Sequence, residues 1–312
     1  MDLHREPPNF FSGPYIDRRS DAREAAAWLE NARADPRTRY VVSAGTAQLV
    51  RGEADPEIAF LSADHPLVKA AQDSELVLLG WFCDAPCVLV ELPAARVTEA
   101  PPGARFEELR PLTARLRTEE AGLLAYARAL SIWRLRHRFC GVCSWPTRPE
   151  RAGHVLRCSN PVCTHETFPR IDPAIIVLVT DGERALLGRQ STWPSGRYST
   201  IAGFVEPGES LEDAVAREVR EETGVRVLRV DYDSSQPWPF PSSLMLGFHA
   251  QAEPDAQIEV GGELEDARWF TRAEIATGTP LLPPQHAISY RLIATWYDRG
   301  SAVPLARRRA VG

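Results

Sequence analysis

The chain has 312 residues, a length that as a prior suggests two domains of ordinary size. Apolar residues make up 44% and charged residues 25%, a globular mix with material for more than one core. A net charge of -6 excludes a protein that coats nucleic acid through bulk charge, leaving only a local basic groove. No apolar run approaches the roughly 20 residues that span a bilayer, so no membrane partner is expected. Met1-Asp2-Leu3-His4-Arg5-Glu6 has no apolar stretch behind it and does not read as a secretory signal. Arg307-Arg308-Arg309-Ala310-Val311-Gly312 is not a peroxisomal address. The expected location is cytoplasmic.

In chain order, residues 20–34 read as one amphipathic helix with Ala25, Trp28, Leu29 and Ala32 on one side. Residues 40–43 and 48–51 read as short strands. Residues 75–83 and 87–91 form a hairpin around Asp84-Ala85-Pro86, which puts Cys83 and Cys87 in apolar strands as core residues. After a break at Ala100-Pro101-Pro102-Gly103, a helix over about 118–137 carries Leu123, Leu124, Ala127, Leu130, Ile132 and Leu135. Residues 1–136 are therefore expected to be an α+β domain, with no chemical motif in them. A cysteine-bearing segment spans 137–169. Residues 170–312 begin with strands at 174–180 and 185–188 around Asp181-Gly182. A helix at 211–222 follows, then strands at 225–232, 244–252 and 268–270 and a closing helix at 285–297. Strands and helices intermixed in this way predict an α/β sandwich. No internal repeat is visible.

The cysteines of the middle segment are Cys140-Gly141-Val142-Cys143, then Cys158 after fourteen residues and Cys163 after four more. Clustered cysteines in a reducing compartment are metal ligands more often than disulfides. Two close pairs flanking a short hairpin converge tetrahedrally on Zn²⁺, and the metal replaces the core that so small a unit cannot build. Four thiolates leave no open position, so the zinc is structural. Gly141 fits the tight knuckle. The plainer reading is burial of four small apolar residues.

The segment with the most chemistry runs from Gly203 to Val225. Ser210 is an N-cap with Asp213 three residues on, Gly224 is a helix terminator, and Leu211, Ala214, Val215 and Val219 make the buried stripe. Glu218, Glu221 and Glu222 then fall at i, i+3 and i+4 on one face, where like charges repel unless a cation sits among them. Such oxygen ligands suit Mg²⁺ or Mn²⁺. Arg217 can hold a carboxylate in place, and Gly203 and Gly208 let the preceding loop lie beside the helix. The plainer alternative is a solvated acidic helix. Against it, Gly203, Glu209, Arg217-Glu218, Glu221-Glu222 and Gly224 fall together on the spacing of the Nudix box.

A further signature is Ser235-Gln236-Pro237-Trp238-Pro239-Phe240-Pro241-Ser242-Ser243, a stiff extended loop. It can present a flat apolar surface to a base or nicotinamide ring, or serve equally as a rigid packing segment. With the box and the cysteines it resembles the NADH pyrophosphatase family of Nudix hydrolases, by motif over about residues 138–296. The resemblance implies an α/β (α+β) chain: a Nudix α/β/α sandwich preceded by a zinc ribbon and an N-terminal α+β domain. It implies cleavage of NAD(H) to nicotinamide mononucleotide and AMP, removal of NAD caps from RNA 5′ ends, and a homodimer. Catalytic metal ligands then fall on Glu218, Glu222, Glu263 and the backbone carbonyl of Ala202, with Glu221 binding metal or activating water. Glu265 competes with Glu263 for its role. Phe168 and Phe204 fall where the family stacks the substrate's rings; residue 168 is often tyrosine in relatives, so a hydroxyl contact is absent here. Gln236 to Ser243 line the substrate, Ser289 matches a backbone contact, and the zinc braces the loop that includes Phe168. Two rivals are a Nudix hydrolase of another nucleoside diphosphate derivative and a zinc-ribbon RNA-binding protein with an inactive hydrolase domain. The proline-aromatic loop opposes the first, and the intact box opposes the second. Arg134, Arg136, His137, Arg138, Arg148, Arg151 and Arg157 are expected to form a basic patch that steers an RNA leader.

Overall fold

Apolar runs of strand length recur in both halves of the chain, and in the computed structural model, which describes residues 9–308, each half builds its own sheet. The expectations placed on residues 1–6 and 309–312 lie outside the described residues. Two compact units result. One comprises Phe11–Ile171 and Pro237–Ser242; the other comprises Asp172–Gln236, the chain from Ser243 onward and the segment ending at Phe10.

The first unit contains, in order, β1 (Ile16–Asp17), α1 (Ser20–Arg23), α2 (Trp28–Ala34), β2 (Arg39–Ala44), β3 (Ala47–Arg51), β4 (Glu57–Ile58) and α3 (Pro66–Lys69). There follow β5 (Leu76–Phe82), β6 (Ala85–Leu92), β7 (Ala104–Glu108), α4 (Leu109–Leu112) and α5 (Thr118–Arg136). The sheet order is β1-β5-β6-β2-β3-β4, with β7 also on β3. Tyr40, Val42, Leu49, Leu78, Val88 and Val90 fill its core. The single helix expected over residues 20–34 is two short ones: side chains 24–27 are exposed there, and tertiary burial is what sustains most protein helices. The hairpin turn is Cys83-Asp84, both left-handed (φ 50° and 58°), as a two-residue loop requires. That places Cys83 in an exposed turn rather than the core, whereas Cys87 is buried. On α5, Leu135 is 52% exposed because Arg134 takes the inward position of the last turn.

The ribbon continues this unit with β8 (Thr147–Glu150), β9 (Val155–Cys158) and β10 (Glu166–Thr167), a three-stranded antiparallel sheet. Its junction with the larger sheet is polar and buried. Arg134 pairs with Glu91 and donates to the carbonyls of Gly153 (3.2 Å) and Ser74 (2.5 Å). His154 Nε2 donates to Leu78 O at 2.8 Å.

The second unit contains β11 (Asp172–Thr180), β12 (Arg184–Arg189), β13 (Ile201–Phe204), α6 (Leu211–Thr223), β14 (Val227–Trp238), β15 (Ser243–Ala252) and β16 (Asp266–Thr271). It ends with α7 (Arg272–Thr277), α8 (Ile288–Arg299) and α9 (Leu305–Arg308). The order is β14-β15-β11-β12-β16, with β13 on β11. β11 is apolar on both faces because both are covered. Ile176 and Leu178 join the core with Leu292 and Ile293 of α8, while Ile175, Val177 and Val179 join Ala214, Val215 and Val219 of α6. This is the α/β/α sandwich.

The two units repeat one topology, although no repeat is visible in the sequence. β6-β2-β3-β7 and β15-β11-β12-β16 share an order, a parallel first pair and two antiparallel pairings after it, and each is followed by a long helix. Where the second unit carries α6, the first has the four-residue α3 and a 3-10 turn at Asp73–Glu75.

Burial pushes the imidazole of His154 down to about 4. A depressed histidine pKa gives stability that is complete above its ordinary value near 6.5 and lost as pH falls toward 4, by up to about 3 kcal/mol. His154→Gln keeps an N–H donor but cannot titrate. In thermal melts we expect wild type to lead at pH 7.5 and to lose that lead by pH 4.5; a constant gap would refute the assignment.

Candidate active site

Helix α6 is fixed at both ends before any charge is placed. Ser210 Oγ accepts the Asp213 N–H at 3.1 Å, and Gly224, at φ 71°, terminates the helix. Ala214, Val215 and Val219 are fully buried. The stripe they form fixes the helix's rotation and sends Glu218, Glu221 and Glu222 toward the other side.

The three carboxylates differ in environment. Glu222 is buried, the Glu218 side chain is 12% exposed and that of Glu221 is 61% exposed. Desolvation, followed by the charges of Glu218, Glu263 and Glu221, pushes Glu222 up to about 7. Glu218 lies against the backbone of β13: a Cβ on Gly203 would sit 1.9 Å from its carboxylate, so a larger residue there would displace that carboxylate. Ala202, the next residue along this strand, pairs with Ile176. Arg217 organises the remainder. Its guanidinium donates to both oxygens of Glu209 (2.6 and 2.9 Å), to Glu218 (2.8 Å), Glu221 (3.0 Å) and the Phe204 carbonyl (3.0 Å). It holds Glu209 down to about 2.

The loop after β15 is seated on the end of α6. Glu259 and Gly261 donate to the carbonyls of Thr223 (2.9 Å) and Glu222 (2.8 Å), two groups that a helix end leaves without intrahelical partners. Nothing in the sequence marked this seat. The loop brings the Glu263 charge to bear on Glu222, whereas Glu265 is paired with Arg189.

The aromatic candidates divide. Phe204 at the end of β13 and Phe168 after β10 are exposed rings, 61% and 57% accessible. Trp238 and Phe240 instead pack edge-on against each other and against Phe11, with centroids 5.3–6.2 Å apart. Arg110 lies 4.3 Å over Phe240, and Arg128 donates to Pro239 O at 3.1 Å. Trp238 and Phe240, both half-buried, thus take part in packing. Residues through Trp238 are strand rather than loop; β14 is an edge strand, where a proline such as Pro237 is tolerated. Pro241 is exposed, and Ser242 and Ser243 are partly so. Gln236 is fully buried: its amide donates to Phe10 O (3.1 Å) and His286 O (2.8 Å) and accepts from Ile288 N (2.8 Å). That bracket fixes the start of α8, where Ser289 is buried at the second position.

In the ribbon, the sulfurs of Cys140, Cys143, Cys158 and Cys163 all lie within 4.8 Å of one another, with Cys140–Cys163 at 3.9 Å and Cys143–Cys158 at 3.4 Å. A tetrahedron with zinc–sulfur bonds of about 2.3 Å has edges near 3.8 Å, so the donor set fits zinc. Val142 and Asn160 N–H groups point at Cys140 and Cys158 sulfurs, each at 3.4 Å. Gly141 is not what the knuckle needs: a Cβ there would meet nothing within 4 Å, and the left-handed positions are Ser144 and Thr164. Among the described residues this is the one group of metal-ligating side chains so tightly gathered.

Most of the basic patch is paired with acidic residues, two of them, Glu91 and Glu24, distant in sequence. Arg134 is buried with Glu91, Arg151 faces Glu24 at 3.6 Å, and Arg148 (3.2 Å) and Arg157 (2.8 Å) share Glu150. Arg157 also pairs with Glu166, and the His137 ring bonds Trp133 O at 2.7 Å. Arg136 and Arg138 stay exposed.

Comparison with known proteins follows the same three-part division. Residues 170–296 match the NUDIX domain, 135–168 the NADH pyrophosphatase zinc ribbon domain, and 37–133 the NADH pyrophosphatase-like rudimentary NUDIX domain. The last match accounts for the repeated topology. The NAD-capped RNA hydrolase NUDT12 of Macaca fascicularis is 35% identical over 93% of this chain and 74% of its own length. The human NUDT12 is 34% identical over the same shares. The NAD-capped RNA hydrolase NudC of Stutzerimonas stutzeri is 42% identical over 71% of this chain and 77% of its own. With an intact box, a four-cysteine ribbon and a second Nudix-like unit that lacks the box, the chain belongs to the NADH pyrophosphatase family of Nudix hydrolases.

Proposed function

We propose that the protein hydrolyses the pyrophosphate bond of NAD(H), giving nicotinamide mononucleotide and AMP, and removes NAD caps from RNA 5′ ends. The observation that carries this reading is the carboxylate cluster of α6, braced by Arg217 and holding a buried Glu222 at a pKa of about 7. Burying acidic groups together is costly without a cation. Glu218, Glu222, Glu263 and the Ala202 carbonyl would hold Mg²⁺ or Mn²⁺, hard cations suited to oxygen donors. Such ions, when bound, neutralise the diphosphate and lower the pKa of a bound water.

The protein's own groups set the geometry. Arg217 keeps Glu218 and Glu221 from turning away, and exposed Glu221 is free at its outer edge to orient the water. Water adds to phosphorus, the diphosphate P–O bond breaks, and each mononucleotide leaves as a phosphate. Phe204 and Phe168 offer exposed rings for stacking. Gln236 fixes the start of the helix that carries Ser289. A structural zinc on the four cysteines braces the segment leading to Phe168. We assign residues 1–136, 137–169 and 170–312 to the N-terminal, ribbon and hydrolase domains of a cytoplasmic homodimer. Among the described residues no helix is long and apolar enough to cross a membrane.

Product analysis with NADH and Mg²⁺ or Mn²⁺ tests the reaction. Wild type should yield reduced nicotinamide mononucleotide and AMP, and Glu222→Gln should lose about 10²-fold or more in rate. Products of another kind, or none, would overturn the assignment. A raised carboxyl pKa makes wild-type stability fall as pH rises from about 4.5 to about 7 and level off above. Metal-free Glu222→Gln should therefore melt higher than wild type at pH 8, with the gap closing below pH 5; equal melts throughout would exclude a buried, strained Glu222. For the ribbon, metal analysis should find one zinc per chain, and Cys143→Ser should lose it and lower the melting temperature. Zinc-free protein that melts like the loaded form would refute the brace.

A further inference from the structure

Beside the box, on the outer flank of α6, lies an open cleft of about 620 Å³ lined by Ala216, Arg217, Arg220, Glu221, Arg226 and Val227. Its three guanidinium groups are not equivalent. Arg217 is saturated by Glu209, Glu218, Glu221 and Phe204 O, so its charge is spent within the site. The Arg220 side chain is exposed, and its guanidinium has no hydrogen-bond or ion-pair partner among the described residues. Arg226, its side chain 70% exposed, has only Glu253 at 3.9 Å, a separation at which a solvated pair contributes little. The cleft therefore presents two available cations directly against Glu221, at the edge of a cluster whose own charge is negative.

We propose that Arg220 and Arg226 form a subsite for backbone phosphates of an RNA chain attached to the dinucleotide, a reading that rests on the function proposed above. Three physical points support it. A guanidinium matches the two oxygens of a phosphodiester, and two guanidinium groups lining one cleft can bind adjacent phosphates. The acidic cluster repels any polyanion approaching the reacting diphosphate, so cations at its border are needed where more phosphates follow. Arg134 of α5 and Arg157 of the ribbon, by contrast, are spent on Glu91, Glu150 and Glu166. A free dinucleotide ends at the adenosine ribose and has nothing to place in this cleft. The subsite thus separates capped RNA from free NAD(H) by charge, not by base contacts.

The test compares wild type with Arg220→Gln/Arg226→Gln on NADH and on an NAD-capped oligoribonucleotide, each over a range of salt. Both side chains are exposed, and NADH turnover reports folding within the same experiment. We expect kcat/KM for the capped oligonucleotide to fall about ten-fold or more while that for NADH changes less than about two-fold. The log–log salt dependence for the capped substrate should flatten by about one to two. Equal loss on both substrates, or no loss on the capped one, would overturn the subsite while leaving the hydrolase reading intact. A wild type inactive on both substrates would instead sink the reading on which the subsite rests, and the subsite with it.

Discussion

Carboxylates placed at helical spacing on one face repel, and the hydrolase unit is arranged around holding them there. The Arg217 guanidinium is the central device: one planar group bridges the loop residue Glu209 to Glu218 and Glu221 on the helix and reaches the Phe204 carbonyl at the end of β13. Loop, helix and strand are thus joined by a single cation. Other features follow from that constraint. Gly203 has no side chain because Glu218 occupies the space, Gly208 takes a left-handed turn so that Glu209 can return to Arg217, and Gly261 lies flat on the helix end so that Glu263 comes near. Glu222 has no such partner, and its raised pKa records first its burial and then the repulsion of Glu218, Glu263 and Glu221.

The two Nudix-like units show how little of this belongs to the fold. Both have a parallel pair followed by antiparallel pairings, and both close with a long helix. Only one inserts a thirteen-residue helix with acidic residues at the required spacing; the other crosses the same gap with Pro66–Lys69 and the turn at Asp73–Glu75. An architecture can persist while its chemistry is absent, because the sheet is stabilised by apolar burial to which the carboxylates contribute nothing.

What could be read in the amino-acid order was whatever depends on near neighbours. The box, the capping of α6 by Ser210 and Gly224, the span of α5 and the two cysteine pairs are all local patterns, and each has its counterpart in the structure. The errors share one origin. Arg134 and Arg157 looked like free surface charge because Glu91 and Glu166 reach them only through the fold. Cys83 looked buried because the hairpin turn was placed one residue late, and Leu135 because one helical step decides between core and solvent. In the first knuckle the left-handed residue is Ser144, not Gly141. The repeated topology left no trace in residue identity, since strand order and direction need only apolar runs of suitable length.

The Gln236 bracket bears on how the protein is made. Its amide joins Phe10, near the start of the chain, to His286 and Ile288, near the end. During vectorial synthesis Phe10 leaves the ribosome 226 residues before Gln236, whose amide it accepts. The other unit receives Pro237–Ser242 equally late. Neither unit is contiguous in the order of translation, so a gene cut at residue 171 would release two fragments, each lacking a strip of its own fold.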